Sequence, residues 1–181
     1  MLTNFIFDPV VTRVFASTLA IILLVGAWQK LRDIDTFTVA LENYRLLAPG
    51  LVYPTAWFIP SVEMVAGSAL IFPESCAVGA LLAAALLTVV TCAVAINLLR
   101  GRRNMDCGCG GLSNQPISWA LVARNFILVA LTVPAAQQGA GRSLYWGDYF
   151  TLGGGVLALI GLYLCANQLL NNSTSTLFNR N

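Results

Sequence analysis

The amino-acid sequence predicts an all-α protein: a polytopic bundle of four to five transmembrane helices with one short amphipathic helix at the membrane interface. Of its 181 residues, 57% are hydrophobic and only 10% are charged, whereas soluble domains carry about 25% charged residues. Five apolar runs reach or approach the ~20 residues that a helix needs to cross a bilayer. Helices are expected in these runs because lipid offers the backbone no hydrogen-bond partners.

Composition excludes several classes of function. The chain has no histidine, which removes imidazole metal sites, haem held by histidine, and histidine acid-base catalysis. The net charge is only +2 and there is no basic tail, so we expect no nucleic acid partner. The lipid bilayer is the first partner that the composition predicts, and we assign no metal and no cofactor.

The organisation that we predict is one membrane domain, residues 1–170, and a polar, disordered tail, residues 171–181. The first apolar run has no basic segment before it and no Ala-x-Ala motif after it, so we interpret it as a retained helix and not as a cleaved signal. The spans are predicted at residues 10–28, 51–72, 76–99, 117–136 and 149–170.

Residues 33–47, between the first two spans, form the predicted interfacial helix. Apolar side chains recur there every three or four residues, while Glu42 and Arg45 lie on other faces. The segment is too short and too polar to span, so it is expected to lie along the membrane surface. Pro49 and Gly50 end it.

Two features inside the spans concern packing. Pro60 lacks a backbone N–H and therefore predicts a kink in the second span. In the third span, Gly79 with Ala83 and Ala80 with Ala84 are small residues four positions apart. Such pairs let helix backbones approach closely, so we expect this helix to pack tightly against a neighbour.

The arginine and lysine residues predict the orientation of the bundle. Seven of them belong to the connections after the first and third spans and to the C-terminal tail, which share one side, and two belong to the other side. The connection between the third and fourth spans is therefore predicted on the cytoplasmic side, with the N-terminus outside.

That connection holds two cysteines, Cys107 and Cys109, with Gly108 between them. Because glycine accepts unusual φ values, the pair could reach the Cα separation of about 4.4–6.8 Å that a disulfide requires. We predict both cysteines as catalytic residues that exchange between dithiol and disulfide. The residues that would stabilise a thiolate lie just upstream: Arg100, Arg102 and Arg103.

Other interpretations of this loop stay open. The two thiols could be inert within a glycine-rich loop, or two thiolates could hold a soft ion such as Cu(I). Four-coordinate zinc needs more ligands than the loop supplies. Enzymatic activity is therefore an open question, with a thiol-disulfide oxidoreductase as the candidate class.

Ionisable residues inside the predicted spans form a second candidate site. A charge at membrane depth is costly unless it is paired or hydrated, on the order of 2.5–3.5 kcal/mol on insertion scales. Glu63 and Arg124 differ in predicted depth by about 7–8 Å, which a long arginine side chain can partly bridge. We therefore predict that they pair inside the bundle, with Asn125 or Asn97 nearby, as a structural pair or in a proton or quinone role.

The remaining cysteines are interpreted as structural. Cys92 and Cys165 lie within spans, where buried thiols usually act as small apolar fillers. Cys76 lies at the opposite end of the bundle from the cysteine loop, and we expect it to be inert.

Several segments of the chain together resemble a known family. They are Gly26–Asp33 (GAWQKLRD), Tyr44–Leu47 (YRLL), Leu98–Arg102 (LLRGR), Asp106–Cys109 (DCGC), Pro116–Trp119 (PISW) and Val122–Asn125 (VARN). Over about residues 15–135 the sequence resembles the MauE family of the DoxX/MauE-like membrane proteins. The Cys-Gly-Cys block, with Arg-Asn in the following helix, is the most specific part of that resemblance.

The resemblance implies a multi-pass protein of the bacterial inner membrane that acts in methylamine metabolism. It implies a role in maturing the small β subunit of methylamine dehydrogenase, a disulfide-rich subunit that is exported to the periplasm, together with a thioredoxin-like partner of the MauD type. Combined with the dithiol, this suggests an accessory protein that works by thiol-disulfide exchange. The alternatives are a non-catalytic assembly scaffold and a Cu(I)-binding or quinone-binding membrane subunit.

The predicted orientation conflicts with that role, because it places the dithiol on the cytoplasmic side while the client disulfides are periplasmic. Three resolutions are open. The loop could dip into the bundle and be reached from outside, electrons could cross the membrane through the protein, or the arginines could bind something, so that the charge rule fails.

Overall fold

The structure is a computed structural model that describes residues 8–102, 117–137 and 145–178, with side chains as far as Leu169. The described part is all-helical and has no strand. Its helices are α1 (Pro9–Arg32), α2 (Ile34–Tyr44), α3 (Pro49–Ile71), α4 (Cys76–Leu99), α5 (Trp119–Ala136) and α6 (Trp146–Phe178). The predicted fold class is therefore confirmed.

Among the residues that the structure describes, four helices are long and apolar enough to cross a membrane. They are α1, α4, α5 and the Trp146–Leu169 part of α6. Helix α3 was the second predicted span and has a comparable length of 23 residues, but it is not among these four. Pro54, Pro60 and Glu63 lie within it and lower its apolar character, and it packs between α1 and α4.

The helix bounds match the prediction most closely at α4, which begins at Cys76 and ends at Leu99. Helix α1 continues to Arg32, past the predicted end at residue 28, and so includes Lys30. Helix α6 continues to Phe178, beyond the predicted end at residue 170. The division into a domain of residues 1–170 and a disordered tail of residues 171–181 stays a prediction.

The amphipathic helix α2 follows α1 with only Asp33 between them. The backbone N–H of Asp33 donates to Gln29 O (3.3 Å) at the end of α1. Its side chain accepts from Thr36 N (3.2 Å) at the start of α2. One residue therefore caps both helices. Helix α2 turns Phe37, Ala40 and Tyr44 inwards, as its apolar period predicts.

The small residues of α4 bring its backbone against that of α3. A Cβ atom added at Gly79 would lie 2.8 Å from Leu70 N and 2.9 Å from the carbonyl carbon of Ala69. Ala80 and Ala83 are buried in the same core cluster as Leu70. The predicted close approach at the small residues is therefore present, and α3 is the neighbour.

A second cluster lies at the opposite end of α4. It joins Tyr44 of α2 to Val94 and Leu98 of α4 and to Ile117 and Leu121 at the start of α5. This cluster closes the end of the bundle at which α1 finishes and α5 begins. Large apolar side chains cover the outer surface of the bundle, as expected for helices that contact lipid; examples are Phe58, Leu81, Phe126, Phe150 and Leu157.

Replacing Gly79 by alanine should destabilise the bundle, because the new methyl group would force the α3 and α4 backbones apart. We expect a loss of about 1–3 kcal/mol, measured as a lower Tm of the detergent-solubilised protein. The matched control is Gly161→Ala in α6, where a Cβ atom meets nothing within 4 Å. Equal effects of the two substitutions would contradict the close backbone contact.

Candidate functional site

A cavity of about 280 Å³ lies inside the bundle and draws its lining from α1 to α6. Most of its walls are aliphatic. The polar or aromatic lining residues are Lys30, Phe37, Tyr44, Thr55, Glu63, Arg124, Asn125 and Tyr163. Helix α2 and the residues after it form one wall, so the cavity lies beneath the amphipathic helix.

The ionisable groups of α1 and α3 meet in this cavity. Lys30 Nζ lies 2.6 Å from Glu63 Oε1 and 2.7 Å from Oε2, and the two side chains are only 10% and 8% exposed. The ammonium group is also 5.8 Å from the centroid of the Phe37 ring. Gly26 lies one turn before Lys30 on α1, and its missing side chain leaves space beside both charged groups.

This pair corrects the sequence-based prediction that Glu63 pairs with Arg124. The structure pairs Glu63 with Lys30, and no salt bridge joins it to Arg124. The prediction was wrong because Lys30 was assigned to the connection after the first span. In the structure α1 extends to Arg32, so the lysine side chain can fold back along the apolar bundle and reach Glu63.

Arg124 is held by neutral groups. Its Nη1 donates to Asn167 Oδ1 on α6 at 2.6 Å, and its Nη2 donates to Asn125 Oδ1 at 3.2 Å. The guanidinium carbon lies 5.5 Å from the centroid of the Tyr163 ring. Asn125 is therefore beside Arg124, as the sequence predicted, whereas Tyr163 and Asn167 were not anticipated.

The two asparagine bonds use only two of the five N–H donors of Arg124. Its Nε is buried and has no hydrogen-bond acceptor within the described parts of the chain. Buried polar atoms in native proteins nearly always have a partner, which can be a ligand or an ordered water molecule. Asn97 is fully buried and donates to Ala93 O (3.1 Å) rather than contacting Arg124, and its Oδ1 is likewise without a partner among the described residues.

The region that holds these residues matches a known protein family. The family model described as "Methylamine utilisation protein MauE" matches residues 8–137, which is well over half of the chain. The chain belongs to the MauE family. The matched region covers α1 to α5, including Lys30, Glu63, Arg124 and Asn125, and confirms the resemblance that the sequence motifs indicated.

Relatives named "Methylamine utilization protein MauE" match over most of their length. The chain is 36% identical over 173 residues to the protein of Paracoccus denitrificans, covering 93% of this chain and 91% of that protein. It is 38% identical over 170 residues to the protein of Paracoccus versutus, covering 90% and 88%. No solved structure matches significantly.

The cysteine loop of this MauE family member begins at a well-defined helix end. Gly101 has φ +75°, its N–H donates to Leu98 O (3.0 Å), and Arg102 N donates to Asn97 O (3.1 Å). These two bonds form a Schellman motif. Arg100 is exposed and Arg102 is half-buried at this end, whereas Arg103, Cys107 and Cys109 lie outside the described residues.

The cysteines that the structure describes are free thiols. Cys76 Sγ lies 3.2 Å from Ala135 O and donates to it, which joins α4 to α5. Cys92 and Cys165 are exposed on the outside of the bundle, so the prediction that they are buried fillers was wrong. Periodicity alone did not show which face of α4 or α6 meets lipid.

Removing one partner of the Lys30–Glu63 pair should strongly destabilise the protein, because a buried charge would be left alone. We expect Lys30→Met and Glu63→Met each to cost about 3–5 kcal/mol, and the double variant Lys30→Met/Glu63→Met to recover most of that loss. Thermal unfolding in detergent would test this, with the exposed Arg13→Gln on α1 as the control. Additive losses in the double variant would contradict the pairing.

Proposed function

We propose that this protein is an integral membrane accessory protein for maturation of the β (small) subunit of methylamine dehydrogenase. It acts by thiol-disulfide exchange through Cys107 and Cys109 with a thioredoxin-like partner of the MauD type, in the bacterial inner membrane. The observation that carries the proposal is the Cys-Gly-Cys sequence on the connection between α4 and α5 in a chain of the MauE family.

The chemistry of the exchange follows from the two thiols. A thiolate of the reduced partner attacks the Cys107–Cys109 disulfide, which gives a mixed disulfide and releases one cysteine as a thiolate. The partner's second thiolate then attacks the mixed disulfide, so the partner leaves oxidised and the pair is reduced. Arg100 and Arg102 precede the loop and would stabilise the thiolate that is released.

Replacing both loop cysteines by serine should abolish maturation, because no disulfide could then be passed on. We expect Cys107→Ser/Cys109→Ser to yield a β subunit with incomplete disulfides and an inactive dehydrogenase, measured by thiol labelling and by amine oxidation. Cys92→Ser/Cys165→Ser is the matched control, since those thiols face outwards. Normal maturation in the loop variant would support a non-catalytic scaffold instead.

The accessibility of the pair tests its orientation. With Lys30 buried in the bundle, six basic residues still favour one side against two on the other, so the charge rule favours a loop on the cytoplasmic side. Oxidation of the periplasmic β subunit then requires that electrons cross the membrane through the protein. We therefore expect a membrane-impermeant maleimide to leave Cys107 and Cys109 unlabelled in intact cells, with or without reduction, and to label them once cells are opened. Labelling from outside after reduction would reverse the orientation.

A further inference from the structure

The cavity beneath α2 combines apolar walls with a small polar region. Side chains such as Ile22, Leu86, Leu87, Val90 and Leu128 form most of its surface. Its volume of about 280 Å³ is close to the lower end of the range of about 300–1,000 Å³ that is usual for small-molecule sites. It therefore suits a ring-sized group better than a whole lipid.

Arg124 is the residue in this cavity that is prepared to bind a ligand. The two asparagine bonds and the Tyr163 ring fix the guanidinium group in place. These bonds use two of the five N–H donors of the guanidinium group, and Arg124 lines the cavity. A donor that is already positioned binds an acceptor oxygen with little further loss of conformational freedom.

The charges of the cavity also favour a particular ligand. Lys30 and Glu63 neutralise each other, whereas the described partners of Arg124 are neutral amides. The guanidinium charge is therefore not cancelled within the described part of the chain. In an apolar environment such a charge favours a ligand that carries, or takes up, negative charge.

The topology connects this cavity to the cysteine loop. The loop leaves α4 about 9 Å beyond Ala93 and enters α5 about 8 Å before Arg124, at 1.5 Å per residue. Ala93 and Arg124 both line the cavity. Both attachments of the loop therefore lie within a few turns of the lining, on two of the helices that form it.

We propose that the cavity binds the ring of a membrane quinone, with Arg124 donating to a ring carbonyl oxygen. This inference deepens the proposed thiol exchange and rests on it for the electron donor. When Cys107 and Cys109 are oxidised, two S–H bonds break and one S–S bond forms. The two electrons and two protons pass to the quinone, which becomes a hydroquinone and leaves a disulfide for the partner.

A quinone fits the observations better than an acidic lipid. A dithiol releases two electrons, a quinone accepts two, and its ring is uncharged and apolar before reduction. The charge of Arg124 would stabilise the negative charge that develops as the ring is reduced. A fatty acid would also satisfy the donor, but it could not accept electrons from the thiols, so competition between the two ligands is part of the test.

The first experiment measures binding in the Cys107→Ser/Cys109→Ser protein, so that its result does not depend on thiol exchange. A short-chain azidoquinone is photo-crosslinked in lipid nanodiscs and the labelled residues are mapped by mass spectrometry. Labelling of cavity residues should be displaced by decylubiquinone. It should fall about tenfold or more in Arg124→Gln, as expected for loss of a charged hydrogen bond.

Paired variants separate the site from general effects of substitution. Leu87→Trp fills the cavity and should also abolish labelling, whereas Leu81→Trp on the same helix points outwards, with 72% of the residue exposed, and should not. Arg13→Gln is the control for loss of a charge. The Tm of each variant identifies unfolding, and Leu87→Trp tests the site even if Arg124→Gln fails to fold.

The second experiment follows electrons in the wild-type protein. The dithiol form is mixed with decylubiquinone, and one hydroquinone should appear for each disulfide formed. Labelling that oleate displaces but decylubiquinone does not would overturn the inference, as would the absence of hydroquinone. Hydroquinone formation without maturation of the β subunit would support the quinone site and refute the proposed function.

Discussion

The buried Lys30–Glu63 ion pair is the constraint on which the cavity end of this bundle depends. Each charge is held in a largely apolar interior, where it is tolerable only beside the other. The two side chains belong to α1 and α3 and lie 2.6–2.7 Å apart, which fixes the axial position of one helix against the other. With that register set, Gly67 of α3 lies so close to α1 that a Cβ atom at this position would be 2.9 Å from Leu24 Cγ.

The same pair shapes the chemistry of the cavity. Because Glu63 is occupied by Lys30, it is not available to neutralise Arg124. Arg124 instead relies on Asn125, Asn167 and the Tyr163 ring, which orient it without cancelling its charge. If Glu63 paired with Arg124 instead, the charge of Arg124 would be neutralised. Lys30 would then be left without a partner near the surface.

The helical bundle can be predicted from the sequence because each helix depends mainly on the residues within its own segment. Long apolar runs predict membrane-spanning helices, and Gly79 predicts a close contact between its helix and a neighbouring helix. The contacts of the polar side chains inside the bundle are harder to predict. Their partners lie far apart in the sequence, and they meet only when the helices have the right axial shift and rotation, which hydrophobic periodicity does not determine. Lys30 looked like a loop residue by hydropathy, and Asn167 lay at the end of a span. For Cys107 and Cys109 the sequence predicts only the chemistry of the two thiols, because both residues lie outside the described parts of the chain.

The connection of α1 to α2 through the single residue Asp33 affects how a ligand can enter the bundle. Asp33 caps α1 with its N–H and α2 with its carboxylate, so lifting the amphipathic helix off the cavity would break one of these caps at a cost of about 1 kcal/mol. This cost favours the entry of a ligand sideways, through the gaps between helices. Ligands would then enter the cavity from the bilayer. Molecules that partition into lipid would therefore reach the interior more readily than molecules dissolved in water.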